Sequence, residues 1–357
     1  MVAPYRLYGA DLSPYSVKVR QILRFKGIEH EWLPRSQARQ AEFARFAKLP
    51  LIPVLVGADD YSLQDSTPIA ETLERRYPEP SITPDDPALA FLSAMLEDYG
   101  DEWVNKVMFH YRWTYPADQE SAARRIVDTM LDGATVPDRA GVEASVRSRM
   151  TQRLHFVGSS AETTPVIEAS YERLLRLLET HLASRKFIFG ARPALADFSL
   201  AGQLGQLASD PTPGALLSSR APKVAAWLKR MDDATVEGPF ETLDALAATL
   251  GALLREEVAG AYLPWMAANA AAAAEGADVS VDLPGGRFTQ KPQKYAARAF
   301  TEVRGRRAMV ASDAGLAALL CETGCDRWLE PPAPPAATAP ETSADAADDV
   351  LDTSADA

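Results

Sequence analysis

A chain of 357 residues, 47% hydrophobic and 24% charged, has room for two domains and an ample core. Its formal net charge of -12 speaks against a nucleic-acid or anionic-membrane binder, although half of it is local: Glu341, Asp345, Asp348, Asp349, Asp352 and Asp356 follow Glu330 with no basic residue among them. The two cysteines, Cys321 and Cys325, have no histidine nearby, which excludes a disulfide scaffold and a cysteine–histidine zinc site. Without a charged-then-apolar leader or an apolar run of transmembrane length, a cytoplasmic protein is the default expectation.

Tyr5 to Tyr8 reads as a short apolar strand, followed by the loop Gly9-Ala10-Asp11-Leu12. Ser13-Pro14 then opens an amphipathic helix to Phe25, with Ser13 as N-cap and Pro14 at the first helical position. Ile28 to Leu33 alternates weakly as a second strand, and Gln37 to Ala47 reads as a short helix. Leu51 to Val56 and Tyr61 to Leu63 form a hairpin across a tight turn. Gln64-Asp65-Ser66-Thr67-Pro68 supplies cap residues for a helix that Pro78 ends. Residues 1–80 therefore read as one α/β domain, strand-helix-strand-helix-strand-strand-helix, and 81–86 fall in a proline-rich linker.

From 87 to 250 the pattern is helical. Leu96 to Trp113 is expected as an early helix with Trp103, Lys106, Val107 and His110 on one face. Ile167, Tyr171, Leu174, Leu175, Leu178 and Leu182 mark a core stripe further on. Residues 251–330 are expected to add an Ala-rich helix, a β-hairpin turning at Gly285-Gly286, and short helices. The Pro, Ala and Asp of 331–357 lack periodicity and are expected to be disordered.

The S-P-Y-S run at Ser13, the Ile52-Pro53 step and the Asp65-Ser66 pair occur in one small domain in the order found in glutathione S-transferases. Ala196-Asp197 after Pro193 is similar to the opening of a buried helix in that family's second domain. The chain thus resembles a glutathione S-transferase: a thioredoxin-like α/β domain, then an all-α domain, here with a small α/β extension. The resemblance implies that the backbone of Ile52, before a cis Pro53, meets the cysteinyl part of glutathione. It likewise implies that Asp65 faces the γ-glutamyl ammonium and Ser66 its carboxylate. Trp103 and His110 would border a pocket for a small hydrophobic electrophile. Glutathione would be the co-substrate, no metal is implied, and a homodimer is left open.

The chemical task would be to hold the glutathione thiol, ordinarily near pKa 8.5, as a thiolate. A helix start carries unpaired N–H groups and about half a positive charge, and a hydroxyl there can donate to sulfur. Ser13 is the first choice, with Tyr15, Ser16 and Tyr8 as alternatives. No cysteine precedes Cys321, so a mixed disulfide at the helix start is ruled out. That disfavours glutaredoxin-like thiol transfer and leaves conjugation, ether cleavage or isomerisation. Ala194 stands where the family has a Ser or Thr cap, so one half of the capping box opposite Asp197 is missing. A non-catalytic scaffold that binds through the extension is the second reading.

Overall fold

Tyr5–Gly9 (β1) runs parallel to His30–Pro34 (β2) and antiparallel to Val54–Val56 (β3), which pairs with Ser62–Gln64 (β4); the order is β2-β1-β3-β4. The structure, a computed structural model, describes residues 4–330. Pro14–Phe25 (α1) and Ser66–Arg76 (α3) pack on one face of the sheet through Val19, Ile22, Leu23, Ile69 and Leu73. A 3-10 turn, Gln37–Arg39, leads into Gln40–Phe46 (α2) on the other face, where Tyr8, Phe43, Phe46, Ile52 and Val54 form a separate small core. Alternation of buried side chains across β1 creates both cores, because neighbouring residues face opposite sides of a strand.

The first helix of the helical domain starts at Pro87. Asp86 caps Pro87–Asp98 (α4) by accepting the Leu89 N–H at 3.0 Å, and Pro87 sits in the first turn. A π-helical stretch, Tyr99–Val104, joins α4 to Asn105–Thr114 (α5). Pro116–Leu131 (α6), Arg139–Thr151 (α7) and Thr164–His181 (α8) follow, and α8 buries the stripe seen in the sequence. Leu195–Ser209 (α9) lies at the centre, with Pro211–Arg220 (α10) and Pro222–Met231 (α11) beside it. Asp197 anchors the start of α9: its carboxylate accepts the Ala194 N–H, the Ile188 N–H and the Trp227 indole N–H, each at 2.9 Å. Burial pushes that carboxyl up to about 6 while the N–H donors pull the other way.

Close approach of α9 to α1 depends on glycine. A Cβ on Gly202 would lie 2.7 Å from the Pro14 carbonyl oxygen. The domains therefore meet backbone to backbone at the start of α1.

The extension is α/β, as expected. Leu243–Leu253 (α12) continues through a second π-helical stretch, Leu254–Tyr262, into Leu263–Glu275 (α13). Val279–Leu283 (β5) and Gly286–Gln290 (β6) form the hairpin, and Lys294–Met309 (α14), Ala314–Thr323 (α15) and Asp326–Leu329 (α16) complete it. The two π-helical stretches meet: Tyr99 donates to Glu257 at 3.0 Å, Tyr262 donates to Asp98, and the two tyrosine rings pack edge to face at 5.7 Å. Among the described residues no helix is long and apolar enough to cross a membrane. The acidic tail 331–357 lies outside the described residues.

Candidate functional site

Strand register gathers the three landmarks of the first domain. Tyr8 pairs with Val54 and Val54 with Gln64, so β1 leaves the sheet at the end where β3 enters and β4 leaves. The loop to Ser13, the Ile52-Pro53 step and Asp65-Ser66 all project from that end. The Ile52-Pro53 bond is cis. Asp65 has φ 81° and ψ 132°, a left-handed backbone that a non-glycine residue adopts at a cost of about 1–3 kcal/mol and that clusters at ligand sites.

Ser13 caps α1, its hydroxyl oxygen accepting the Ser16 N–H at 3.2 Å. That geometry leaves its own O–H available as a donor. The Tyr15 hydroxyl donates to the Asp101 carbonyl at 2.9 Å. The Ser16 hydroxyl is buried with no hydrogen-bond partner among the described residues. Tyr8 points to the other side of the sheet and donates to Glu42 at 2.6 Å. Arg112 ties down the loop before Ser13: it donates to the Leu12 carbonyl at 2.9 Å, to Asp210 at 2.7 Å and to Gln206 at 2.7 Å.

Lys18 is the group that the sequence reading passed over. Its ammonium, 1% exposed, donates to Glu97 at 2.5 Å and Asp101 at 2.7 Å, and the Ser66 and Thr67 hydroxyls lie within 3.4 Å. Burial alone would lower its pKa; Asp101 and Glu97 outweigh that and hold it charged. Asp101 is pushed up to about 6 by burial, with Lys18 opposing. The start of α3, the buried face of α1 and the α4 junction are thus joined through one cation. A signal existed: Lys18 falls between Pro14 and Ile22 on the apolar stripe of α1, an unusual place for an unpaired charge. Gln64 was also passed over. Its side-chain oxygen accepts the Lys48 and Leu49 N–H groups at 3.0 Å and its amide donates to the Leu49 and Leu51 carbonyls, fixing the approach to Ile52-Pro53.

Trp103 and His110 lie in the packed interior. The Trp103 indole donates to Ser170 at 2.9 Å and packs against Trp265 and Phe288 of the extension. His110 is fully buried, bonded to Ser159 at 2.8 Å and to Glu168 at 3.3 Å, and burial lowers its pKa. Among the described residues no group of His, Cys, Asp and Glu could hold a metal ion.

Fold and site together define a thioredoxin-like domain joined to an all-helical domain, with its distinctive residues where the two meet. The chain belongs to the glutathione S-transferase-like family: residues 7–81 match the glutathione S-transferase N-terminal domain and residues 143–230 the C-terminal domain. Glutathione S-transferase 3 of Zea mays is 28% identical over 235 residues, spanning 63% of this chain and 88% of the maize protein. The isoprene-epoxide–glutathione S-transferase of Rhodococcus sp. (strain AD45) is 26% identical over 206 residues, 56% of this chain and 82% of its own. A solved glutathione S-transferase of Methylobacterium radiotolerans, in complex with glutathione sulfonate, is 24% identical with a TM-score of 0.42, covering 67% of this chain and 97% of that one. The extension after α12 lies outside both family matches.

Proposed function

We propose that this chain is a serine-type glutathione transferase that binds glutathione at the junction of its two domains and transfers it to a small hydrophobic electrophile. The observation that carries this reading is the convergence of Ser13, cis Ile52-Pro53 and Asp65-Ser66 on one end of a four-stranded sheet. The Ile52 backbone takes the cysteinyl part of the tripeptide, the Asp65 carboxylate its ammonium, and Ser66 with the first N–H groups of α3 its γ-glutamyl carboxylate. The thiol lies at the start of α1. There the helix dipole and a hydrogen bond from the Ser13 hydroxyl favour the thiolate, whose lone pair attacks the electrophilic carbon as that carbon's leaving group departs. No second-substrate contact is assigned to Trp103 or His110, both of which are buried.

Replacing Ser13 with Ala tests the chemistry. The thiol pKa of bound glutathione should rise by on the order of one unit, about 1.4 kcal/mol, while affinity changes little. Ultraviolet titration of the thiolate in the binary complex, run beside thermal melts, reads both quantities. A lowered melting temperature with an unmoved thiol pKa would reduce Ser13 to a helix cap, worth about 1 kcal/mol, and move the role to Tyr15 or Ser16.

A further inference from the structure

The extension reaches into the site just described. Gln293, the residue before α14, is held by Asn269: its N–H donates to the Asn269 side-chain oxygen at 2.7 Å, and its carbonyl accepts the Asn269 amide at 2.8 Å. Two residues later, in the first turn of α14, the Tyr295 hydroxyl donates to Asp65 at 2.8 Å. Towards the other end of α14, Arg306 pairs with Glu71 on α3. The extension helix is therefore fastened to α3 at two points, one of them the carboxylate assigned above to the glutathione ammonium.

Ser13 and Ser66 are 0% and 2% exposed and Ile52 is 4% exposed. A tripeptide reaches those groups only after something above them moves. Tyr295 is the group seated on Asp65, and it is the weaker partner available to that carboxylate. A neutral phenol gives one hydrogen bond, whereas an ammonium gives charge as well, and charge-assisted bonds are roughly twice as strong. The surroundings favour the exchange further. Glu97, Asp98, Asp101 and Glu102 lie close to one another at the α4 junction, with Lys18 and Lys106 as the cations coupled to them. Lys18 is already held by Glu97 and Asp101, and Lys106 by Gln290 and Gln293 at 3.0 and 3.1 Å over the Trp265 ring. Burial raises the carboxyls of Asp65, Asp98 and Glu102, Asp98 to about 8, and an ammonium brought against Asp65 favours its ionised form.

We propose that Tyr295 is a built-in competitor for the glutathione site: its phenol occupies the ammonium position on Asp65, and ligand binding exchanges phenol for ammonium. The proposal rests on the glutathione reading of Asp65. It makes the extension a selector for ligands with a free amino group, because only such a ligand replaces the bond that Tyr295 gives up.

Tyr295→Phe keeps the ring and removes the competing hydroxyl. Calorimetric titration of the full chain with glutathione should show the variant binding roughly ten-fold more tightly, the scale of one hydrogen bond to a charged group. In stopped-flow binding the observed rate should level off with glutathione concentration for the unmodified protein, as phenol departure becomes limiting, and should rise linearly for the variant. A folded variant with equal or weaker affinity overturns the competitor and makes Tyr295 a support for Asp65 or a bystander. Binding by the variant alone supports it. Failure of both proteins to bind millimolar glutathione overturns the glutathione reading itself, and the competitor with it. Should Tyr295→Phe prove unstable in melts, Arg306→Gln loosens the other fastening, and tighter binding is again the supporting result and unchanged binding the opposing one.

Discussion

Lys18→Met should lower the melting temperature by on the order of 5–10 °C, corresponding to about 3–5 kcal/mol for leaving buried carboxylates without their cation. Methionine replaces the stem and lacks only the terminal ammonium position, so most of the packing on the stripe of α1 is retained and the loss is mainly electrostatic. Glu97 and Asp101 are left facing each other in a place where Lys18 is 1% exposed. Adding Glu97→Gln and Asp101→Asn should restore most of the stability, since a neutral set of similar shape has no unpaired charge to bury. The single variant should also bind glutathione less well, because Ser66 and Thr67 at the start of α3 lose the cation that spans both domains. A melting temperature within 2 °C of the unmodified protein, the ~0–1 kcal/mol typical of an exposed pair, would contradict this account of the domain junction.

Asp197→Ala should have a comparable effect for a different reason. Three buried N–H donors, from Ile188, Ala194 and Trp227, lose their shared acceptor, and each unsatisfied group costs about 1–3 kcal/mol. We expect a total of about 3–5 kcal/mol, among the larger single-residue losses, read as a shift in urea midpoint at unchanged slope. Asp197→Asn keeps one acceptor oxygen and should fall in between. Equal stability of the Ala variant would mean that the turn from Ile188 to Ala194 is held by packing alone.

The sequence carried the local features of the site because each is a backbone requirement written in adjacent residues. Ser13-Pro14 starts a helix by its own chemistry, and Asp65-Ser66 lies where a strand must become a helix. Ala194 leaves the side-chain half of the cap absent, as its residue type requires, and Asp197 serves the helix start together with the Ile82 carbonyl and the Ser93 hydroxyl. Long-range partners were not legible. Lys18 finds Glu97 and Asp101 79 and 83 residues away, and Tyr295 finds Asp65 across 230 residues. Neither distance leaves a periodic trace. The π-helical stretches were invisible for a related reason: one extra residue per turn rotates the faces without breaking an apolar pattern. At these stretches Tyr99 meets Glu257, and Asp98 meets Tyr262, between the helical domain and the extension. Trp103 and His110 shared a face by spacing, but spacing does not say what covers a face, and here α8 and the extension do.

The central claim is that this junction holds glutathione through Asp65. Calorimetric titration of glutathione into the full chain and into Asp65→Ala tests it most directly. The account predicts saturable binding to the unmodified protein and a loss of about 1–3 kcal/mol, a ten- to hundred-fold weakening, in the variant. Binding of equal strength by both proteins, or by neither at millimolar glutathione and with Tyr295→Phe in place, would contradict it.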